Sequence, residues 1–309
     1  MVFFSLLAVL LLEHVGPLPY RLVAHEPLSR YAQLLENCLN AGERRHGLLA
    51  WLVAVGLPVL VSLGVYAVCH AFNPLLAWVW NVLILYLAMG FRQVGQTYND
   101  IELALRLDDL PHARGLLAEW RGLPSSDLPA PEIARLAIEE MLTVSHRHVF
   151  AVVFFFVLLP GPSGAVLYRL ASVLADVWGR GESSDVERFG RFSQQALAFM
   201  EALASRVTAA GFAVAGNFEE AIYSWRTQAA RWPVQIYGKG LGIVLASGSG
   251  AIGVRLGSPI AEADPQSEVG LGREADVDAM QRVTGLVLRA TFLWLLLLLL
   301  LGVASLFTA

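Results

Sequence analysis

The chain has 309 residues, of which 56% are hydrophobic, and its mean hydropathy is +0.56. Charged residues make up only 16%, where soluble domains carry about 25%, so we predict an integral membrane protein. The net charge of -4 gives no indication of nucleic-acid binding. Cys38 and Cys69 stand in unlike settings and form neither a disulfide framework nor a zinc pattern.

Apolar runs predict the membrane spans in chain order. Residues 2–12 form a short first span, whereas residues 47–72 are long enough to cross a bilayer, which takes about 20 residues. Asn73-Pro74 turns the chain, and residues 74–91 return as the next span of a helical hairpin. The strongest span is 290–307, with seven consecutive leucines.

Polar stretches separate these spans. Residues 13–46 contain four arginines and residues 92–148 contain six, whereas the turn at 73–74 contains none. Because arginine is enriched in cytoplasmic loops, we predict that both polar stretches are cytoplasmic and that the turn is external. Within the larger stretch the pattern predicts helices near 96–109 and 111–121 and a further helix from Glu132.

The later part of the chain alternates between charged and small residues. We predict a charged loop at 180–195, a small-residue helix at 195–216 and an amphipathic helix at 217–231. Residues 241–256 are rich in Gly, Ala and Ser, and an acidic loop follows at 257–281.

Residues 149–179 contain a broken helix. The first apolar run ends at Leu159, Pro160-Gly161-Pro162 follows, and helical periodicity resumes at Gly164. One interpretation is a bent or re-entrant segment beside a cavity, where protein or water satisfies the freed backbone groups. The other is a turn at the membrane surface, and both remain open.

The stretch from Gly248 to Gly253 fits the G-x-G-x-x-G pattern. Dinucleotide binding would require a strand before it and an acidic residue about 20 positions on, and no strand signal precedes it. We favour small residues that let membrane helices approach closely.

Two carboxylates lie side by side before the broken helix. On a helix from Glu132, Glu140 shares a face with apolar residues, and a carboxylate there is costly unless it is paired or functional. We expect an ion pair with Arg147 or Arg169, with a catalytic role as the alternative. Glu139 lies on another face, where we expect it to be solvated.

The His146-Arg147-His148 run does not predict a metal site. Residues two apart on a helix do not face each other, so the two imidazoles do not share an ion easily. We interpret them as basic residues at the cytoplasmic mouth of a span.

Several residues together resemble a known family. The pattern comprises Glu140, Phe155-Phe156, Pro160 to Ala165, Tyr168-Arg169, Trp178-Gly179, Phe189-Gly190 and Gly250 to Gly257. It is similar to the CobD/CbiB family of cobalamin-biosynthesis membrane proteins over roughly residues 105–257. The opening run to Glu13, the stretch from Arg206 to Trp225 and the C-terminal span look more like AmpE, a related membrane protein linked to β-lactamase induction.

The resemblance implies an all-α, polytopic membrane protein with a single domain over residues 1–309 and a helical cytoplasmic lobe at about 92–148. Members of the family join aminopropanol, or its phosphate, to a corrin carboxylate by ATP-dependent amide synthesis. ATP and Mg²⁺ are therefore implied as cofactors if synthase activity is retained. The implied partners are the lipid bilayer of the bacterial inner membrane and a corrinoid or other anionic small molecule, and a homo-oligomer stays open.

The candidate residues fall into three groups. The catalytic candidates are Glu140 and Asp176; the substrate or anion-binding candidates are Tyr168, Arg169, Arg206, Glu219 and Trp225; the structural motif residues are Pro160, Gly161, Pro162, Gly164, Trp178, Gly179, Gly250 and Gly253.

Several polar positions of the family are replaced in this chain. Gly16 to Tyr20 stands for its Asp-Pro…His-Pro motif, and Ser172 to Ala175 stands for its Asn-Thr-x-Asp motif. Val144, Ser145 and His148 replace a Glu-Asn pair and an Asp, and Gly240 replaces the Asn of a later motif. Scaffold motifs remain while phosphate and magnesium ligands are lost, so we predict low synthase activity. A non-catalytic sensor or interaction protein of the AmpE type is the alternative.

Overall fold

The computed structural model describes residues 2–15, 26–39, 44–90, 92–123, 125, 127–179, 184–232, 234–257 and 272–308. Within these ranges the chain is all-α apart from a single isolated bridge between Val254 and Arg273. The family positions at residues 16–20 lie outside the described residues.

Thirteen α-helices lie in the described ranges. They are α1 Val2–Val15, α2 Glu26–Leu39, α3 Arg44–Phe72, α4 Pro74–Met89, α5 Arg92–Arg106, α6 Leu110–Arg121, α7 Ala130–Ser145, α8 Ala151–Leu158, α9 Ser163–Trp178, α10 Ser184–Ala215, α11 Phe218–Gln228, α12 Val234–Ile252 and α13 Val277–Thr308. A π-helical turn, His146–Phe150, joins α7 to α8, and a 3-10 turn, Ala229–Arg231, follows α11.

Within the part of the chain that the structure describes, four helical segments are long and apolar enough to cross a membrane: Gly47–Phe72, Ala130–Leu158, Phe189–Ala215 and Val277–Ala304. Three shorter apolar helices accompany them, at Val2–Glu13, Pro74–Met89 and Gly240–Ile252. The predicted all-α, polytopic membrane protein is therefore confirmed.

The chain divides into two compact units, which we describe separately. The first comprises Met1–Gly90, Ala151–Glu201 and Leu298–Ala309, and the second comprises Phe91–Phe150 and Ala202–Leu297. The single domain and the cytoplasmic location of residues 92–148 remain predictions.

The core of the first unit forms around α9. Trp178 is fully buried, packs against Phe189 with ring centroids 4.8 Å apart, and donates from Nε1 to the carbonyl of Ala32 at 3.0 Å. A side chain at Gly190 would place its Cβ 2.1 Å from the Trp178 carbonyl oxygen, so α9 and α10 approach at backbone distance. These contacts account for Trp178 and for the Phe189-Gly190 pair in the sequence.

The break in the helix lies where the sequence predicts it. α8 ends at Leu158, α9 begins at Ser163, and Gly161 between them has a φ of 61°, a conformation that favours glycine. Gly164 packs against α8, because a Cβ there would lie 1.8 Å from the carbonyl oxygen of Phe155.

The predicted charged loop at 180–195 is wrong over most of its length, because α10 already begins at Ser184. The many charged residues there interrupt the apolar periodicity from which a helix is predicted. Phe189 supplies the apolar anchor by packing on Trp178, and tertiary burial stabilises a helix whose own sequence is polar.

The second unit packs α7 against α5, α6 and α12, and α11 against α12. Tyr98 on α5 is fully buried and donates its hydroxyl to the carbonyl of Met280 on α13 at 2.9 Å. Phe150 meets Phe212 edge to face at 5.4 Å and Trp294 at 5.9 Å. These aromatic contacts tie α13 to the rest of the unit.

Candidate functional site

A cavity of about 820 Å³ lies in the second unit, at the meeting of α11, the end of α12 and the start of α13. Its volume lies in the range of small-molecule sites, about 300–1,000 Å³. The residues that line it are Glu219, Glu220, Tyr223, Ser224, Gly250, Ile252, Gly253, Gly272, Arg273 and Arg282.

The first wall of the cavity is the start of α11. Asn217 caps this helix, since its side-chain oxygen accepts from the backbone N–H of Glu220 at 3.3 Å. The cap fixes the first turn, which presents Glu219 and Glu220, and Tyr223 follows four residues after Glu219 on the same face. The shared face of Glu219 and Tyr223 follows from their spacing in sequence.

The second wall depends on the glycines of α12. A Cβ on Gly250 would lie 2.3 Å from the carbonyl oxygen of Glu220, so only glycine lets α11 approach this closely. A Cβ on Gly248 would likewise meet Leu142 at 2.8 Å. The helix runs unbroken from Val234 to Ile252, so close packing of helices, and not a dinucleotide loop, explains the glycine pattern.

The end of α12 is a glycine-terminated cap. Gly253 has a φ of 66°, its N–H donates to Gly250 at 3.2 Å, and the N–H of Val254 donates to Ser249 at 3.1 Å. This pair of bonds is the Schellman arrangement, which satisfies carbonyls that a helix end leaves unpaired. The chain then leaves the helix in a fixed direction.

The third wall is a short two-stranded contact. Arg255 donates its N–H to the carbonyl of Arg273 at 2.8 Å, and Arg273 donates its N–H to the carbonyl of Gly253 at 3.1 Å. The contact fixes the backbone of Arg273, whose side chain lines the cavity.

The cavity carries both signs of charge. Glu219, Glu220 and Arg273 form no side-chain ion pair or hydrogen bond with any other part of the chain that the structure describes. Arg282 lies 3.6 Å from Asp276, measured from Nη2 to Oδ1. Two carboxylates and two guanidinium groups therefore face one space.

Comparison with known proteins identifies the family. Residues 6–304 match the CobD/Cbib protein family. The chain is 32% identical over 305 residues to "Cobalamin biosynthesis protein CobD" of Stutzerimonas stutzeri (strain A1501), which covers 96% of this chain and 97% of that protein. The chain belongs to the CobD/Cbib family.

Two further relatives carry the same name. The protein of Chromobacterium violaceum is 34% identical over 227 residues, which cover 72% of this chain and 70% of that protein. The protein of Photorhabdus laumondii is 27% identical over 232 residues, which cover 72% of this chain and 69% of that protein. No solved structure matches the chain.

One binding candidate and two structural motif residues named from the sequence lie at the cavity, and their roles stay predictions. Glu219, Gly250 and Gly253 line it, whereas the half-buried Trp225 is not among the lining residues. Arg206 is exposed on α10 and donates to the carbonyl of Ala202 in the preceding turn.

Glu140 lies beside an arginine that the sequence did not indicate. Its side chain is 30% exposed, and the cation nearest to it among the ion pairs of the described residues is Arg121, with Nε 3.9 Å from Oε2. A pairing of Glu140 with Arg147 or Arg169 stays a prediction. The short loop between α6 and α7 decides this contact, because it brings Arg121 back beside α7.

The solvated position predicted for Glu139 is wrong. Glu139 is only 2% exposed and accepts from Arg135 Nη1 at 2.7 Å and from the backbone N–H of Gly257 at 3.2 Å. Helix periodicity placed it correctly on a different face from Glu140, but α12 and its following segment cover that face. The i,i+4 spacing of Arg135 and Glu139 was the available signal.

His146 lies inside the protein, and its place at the cytoplasmic mouth of a span stays a prediction. It is fully buried in the π-helical turn, and its Nδ1 lies 2.9 Å from the hydroxyl of Thr208. That hydroxyl donates to the carbonyl of Ala204 at 3.1 Å, so the imidazole Nδ1–H is the donor. The ring is thus part of the packing between α7 and α10.

The remaining candidates lie in the first unit. Tyr168 stacks on Phe155 with centroids 5.4 Å apart, Arg169 is 5% exposed, and Asp176 is half-buried. Arg169 lines a cavity of about 370 Å³ whose other walls are almost entirely apolar. The helices α2, α3 and α4 contribute only Tyr31 and apolar side chains to this cavity, and a polar cavity near Pro160–Gly164, Tyr168 and Arg169 stays a prediction.

The acidic position on α9 that the family resemblance implies for magnesium is not kept in this chain. No group of three His, Cys, Asp or Glu side chains lies close together within the described residues. Ala175, at the position of a family Asp, is buried beside the core cluster of Leu174 and Trp178. A methyl group in a packed core offers no oxygen to a hard cation.

Proposed function

We propose that this chain acts in cobalamin biosynthesis as a multi-pass protein of the bacterial inner membrane. The names of its relatives support this role. We further propose that the cavity of the second unit binds a small molecule with an amine and a phosphate, such as aminopropanol phosphate. One observation carries this proposal: two carboxylates and two guanidinium groups line the same cavity.

The two ends of such a ligand require opposite charges. Its ammonium group is a donor only, and the carboxylates of Glu219 and Glu220 accept hydrogen bonds. Its phosphate accepts hydrogen bonds, and the planar guanidinium groups of Arg273 and Arg282 donate two at a time. Because Asp276 lies 3.6 Å from Arg282, we assign the larger share of phosphate binding to Arg273.

Binding and catalysis place different demands on the chain. Amide formation from a corrin carboxylate requires that the carboxylate be activated, and phosphoryl transfer from ATP needs bound magnesium and donors that neutralise charge. Because Ala175 and His148 stand where the family resemblance implies acidic residues, we assign no step through magnesium. We therefore propose that ligand binding persists while amide synthase activity is low.

Calorimetric titration of the purified protein with aminopropanol phosphate tests the binding proposal. Arg273→Ala should weaken binding at least about tenfold, since a hydrogen bond to a charged group contributes about 1.5–3 kcal/mol. Glu220→Gln should weaken the binding of aminopropanol phosphate but leave the binding of isopropyl phosphate, which lacks the amine, unchanged. The matched control is Arg226→Ala, an exposed arginine of α11 that does not line the cavity. Equal binding by the Arg273→Ala and Arg226→Ala variants would refute the assignment.

A separate assay tests the low synthase activity. Purified protein is incubated with corrin acid, aminopropanol phosphate, ATP and magnesium, and amide product is measured. We expect little product. Product formation that depends on Glu140 or Asp176 would overturn the proposal of low activity.

The AmpE-like alternative is supported by the packing of α9. Ser172, Val173, Leu174 and Ala175 replace the family's Asn-Thr-x-Asp, and all four are buried. Because four consecutive residues go round the whole helix, this turn of α9 is packed on every side, which favours a sensor or interaction role over catalysis. Complementation of a strain that lacks the synthase separates the two, since only an active enzyme restores growth without supplied corrinoid.

A further inference from the structure

A buried ion-pair network lies on the face of α7 that points to the segment after α12. Arg135 is 8% exposed and donates from Nε to Glu132 at 2.9 Å and from Nη1 to Glu139 at 2.7 Å. Both carboxylates thus hold one planar guanidinium, which in turn fixes the direction of the Glu139 side chain.

The Glu139 carboxylate reaches beyond its own helix. Its Oε1 accepts the backbone N–H of Gly257 at 3.2 Å, a contact between residues 118 positions apart. Val254 and Leu256 are fully buried, so the segment 254–257 also lies flat against the unit by burying alternate side chains. The Schellman cap at Gly253 fixes its first end, and Glu139 fixes its last.

This segment holds Arg273 in place. The backbone of Arg273 forms one hydrogen bond with Arg255, inside the segment, and one with Gly253, the residue just before it. A shift of the segment would therefore disturb Arg273, because the bond to Arg255 is made to the moving chain. The buried network and the cavity are linked through the backbone.

We propose that Glu139, oriented by Arg135, is a positioning residue that fixes segment 254–257 and, through it, Arg273 at the cavity. The significance of this inference for binding rests on the ligand proposed above. The positioning itself is a property of the protein without ligand and is tested as such.

Amide hydrogen exchange of the ligand-free protein tests the inference. The main variant is the double substitution Arg135→Met/Glu139→Leu, which removes the network without leaving a buried charge unpaired. Exchange of peptides covering 253–257 and 272–276 should become about tenfold faster or more, since each amide loses a bond or its support. Exchange in 240–252 should stay as in the wild type.

Two further variants distinguish positioning from general stabilisation. Glu139→Gln keeps a side-chain oxygen that accepts the Gly257 N–H, so it should retain protection of 253–257 although the charge is lost. Glu132→Gln weakens the ion pair with Arg135 but does not touch the segment, and should leave exchange there unchanged. Unchanged exchange in the double variant would overturn the inference, as would equal acceleration in 240–252.

The outcome is separable from that of the binding proposal. If the wild-type protein does not bind aminopropanol phosphate, the proposed ligand is wrong while the exchange result still decides the role of Glu139. If the wild-type protein binds aminopropanol phosphate, the double variant should lose more affinity for aminopropanol phosphate than for aminopropanol, because only the phosphate group contacts Arg273 in the proposed complex.

Discussion

Gly164 offers a sharp test of the helix break. In Gly164→Ala the new Cβ would lie 1.8 Å from the carbonyl oxygen of Phe155 and 2.4 Å from its carbon, where real Cβ contacts stay above 3.0 Å. The two helices must therefore separate locally by about 1.2 Å, as 1.8 Å becomes 3.0 Å. The neighbour is backbone, which cannot rotate away, and the same oxygen accepts the N–H of Leu159 at 3.1 Å.

The cost follows from these distances. Overpacking a well-packed interior costs about 1–3 kcal/mol, and a rigid backbone neighbour places Gly164→Ala near the upper end. Replacing a helical glycine by alanine returns about 0.5–1 kcal/mol. We therefore expect the free energy of unfolding to fall by about 2 kcal/mol.

Chemical unfolding in detergent, followed by tryptophan fluorescence, measures this change. The matched control is Gly56→Ala in α3, a helical glycine of the same unit with no atom within 4 Å of the place where a Cβ would lie. This variant should be neutral or slightly more stable than the wild type. Equal stability of both variants would refute the close approach of α8 and α9.

The remaining predictions concern the hydrogen bond of Tyr98 and the membrane topology. Tyr98→Phe removes the hydrogen bond to Met280 and should lower the free energy of unfolding by about 1 kcal/mol. Burial, and secondarily the charge of Glu102, raises the pKa of Tyr98. The contribution of Tyr98 to the free energy of unfolding is therefore present below about pH 10 and is lost as the pH rises through the higher pKa of the folded state. If the Tyr98→Phe variant lost the same stability at alkaline pH as the wild type, this prediction would be wrong. The topology is tested in a chain whose two native cysteines are replaced by serine. In intact cells Asp127→Cys should not react with an external thiol reagent, whereas Phe72→Cys should react. Both positions are exposed, and we predict position 127 to be cytoplasmic and position 72 to be external. Labelling of Asp127→Cys from outside would invert the predicted orientation.

Much of the fold could be predicted from local sequence. The apolar run of α3 and the Asn73-Pro74 turn set the first hairpin, and the Asn73 side chain caps α4 by accepting from Leu75 at 2.8 Å. The Pro160-Gly161-Pro162 break could be predicted because proline and glycine act on the residues beside them. Spans, caps and breaks depend on neighbours within about one helical turn, which is what a sequence displays directly.

The candidate site could be predicted only in part. Glu219, Gly250 and Gly253 were found because motif spacing marks them, whereas Glu220, Arg273 and Arg282 stand outside any local pattern. No sequence signal indicated that Arg273 would return to the end of α12. Its position depends on hydrogen bonds between residues that are distant in the chain.

The sequence by itself determined that this is an all-α membrane protein of the CobD/Cbib type with a broken helix before α9. Only the tertiary structure decided that Glu139 is buried and Glu140 half-exposed, although the two are adjacent on α7. Helix periodicity separates their faces by about 100° but does not say which face another element covers. Burial is a property of the whole packed chain, because it depends on residues such as Gly257 that meet α7 only after folding.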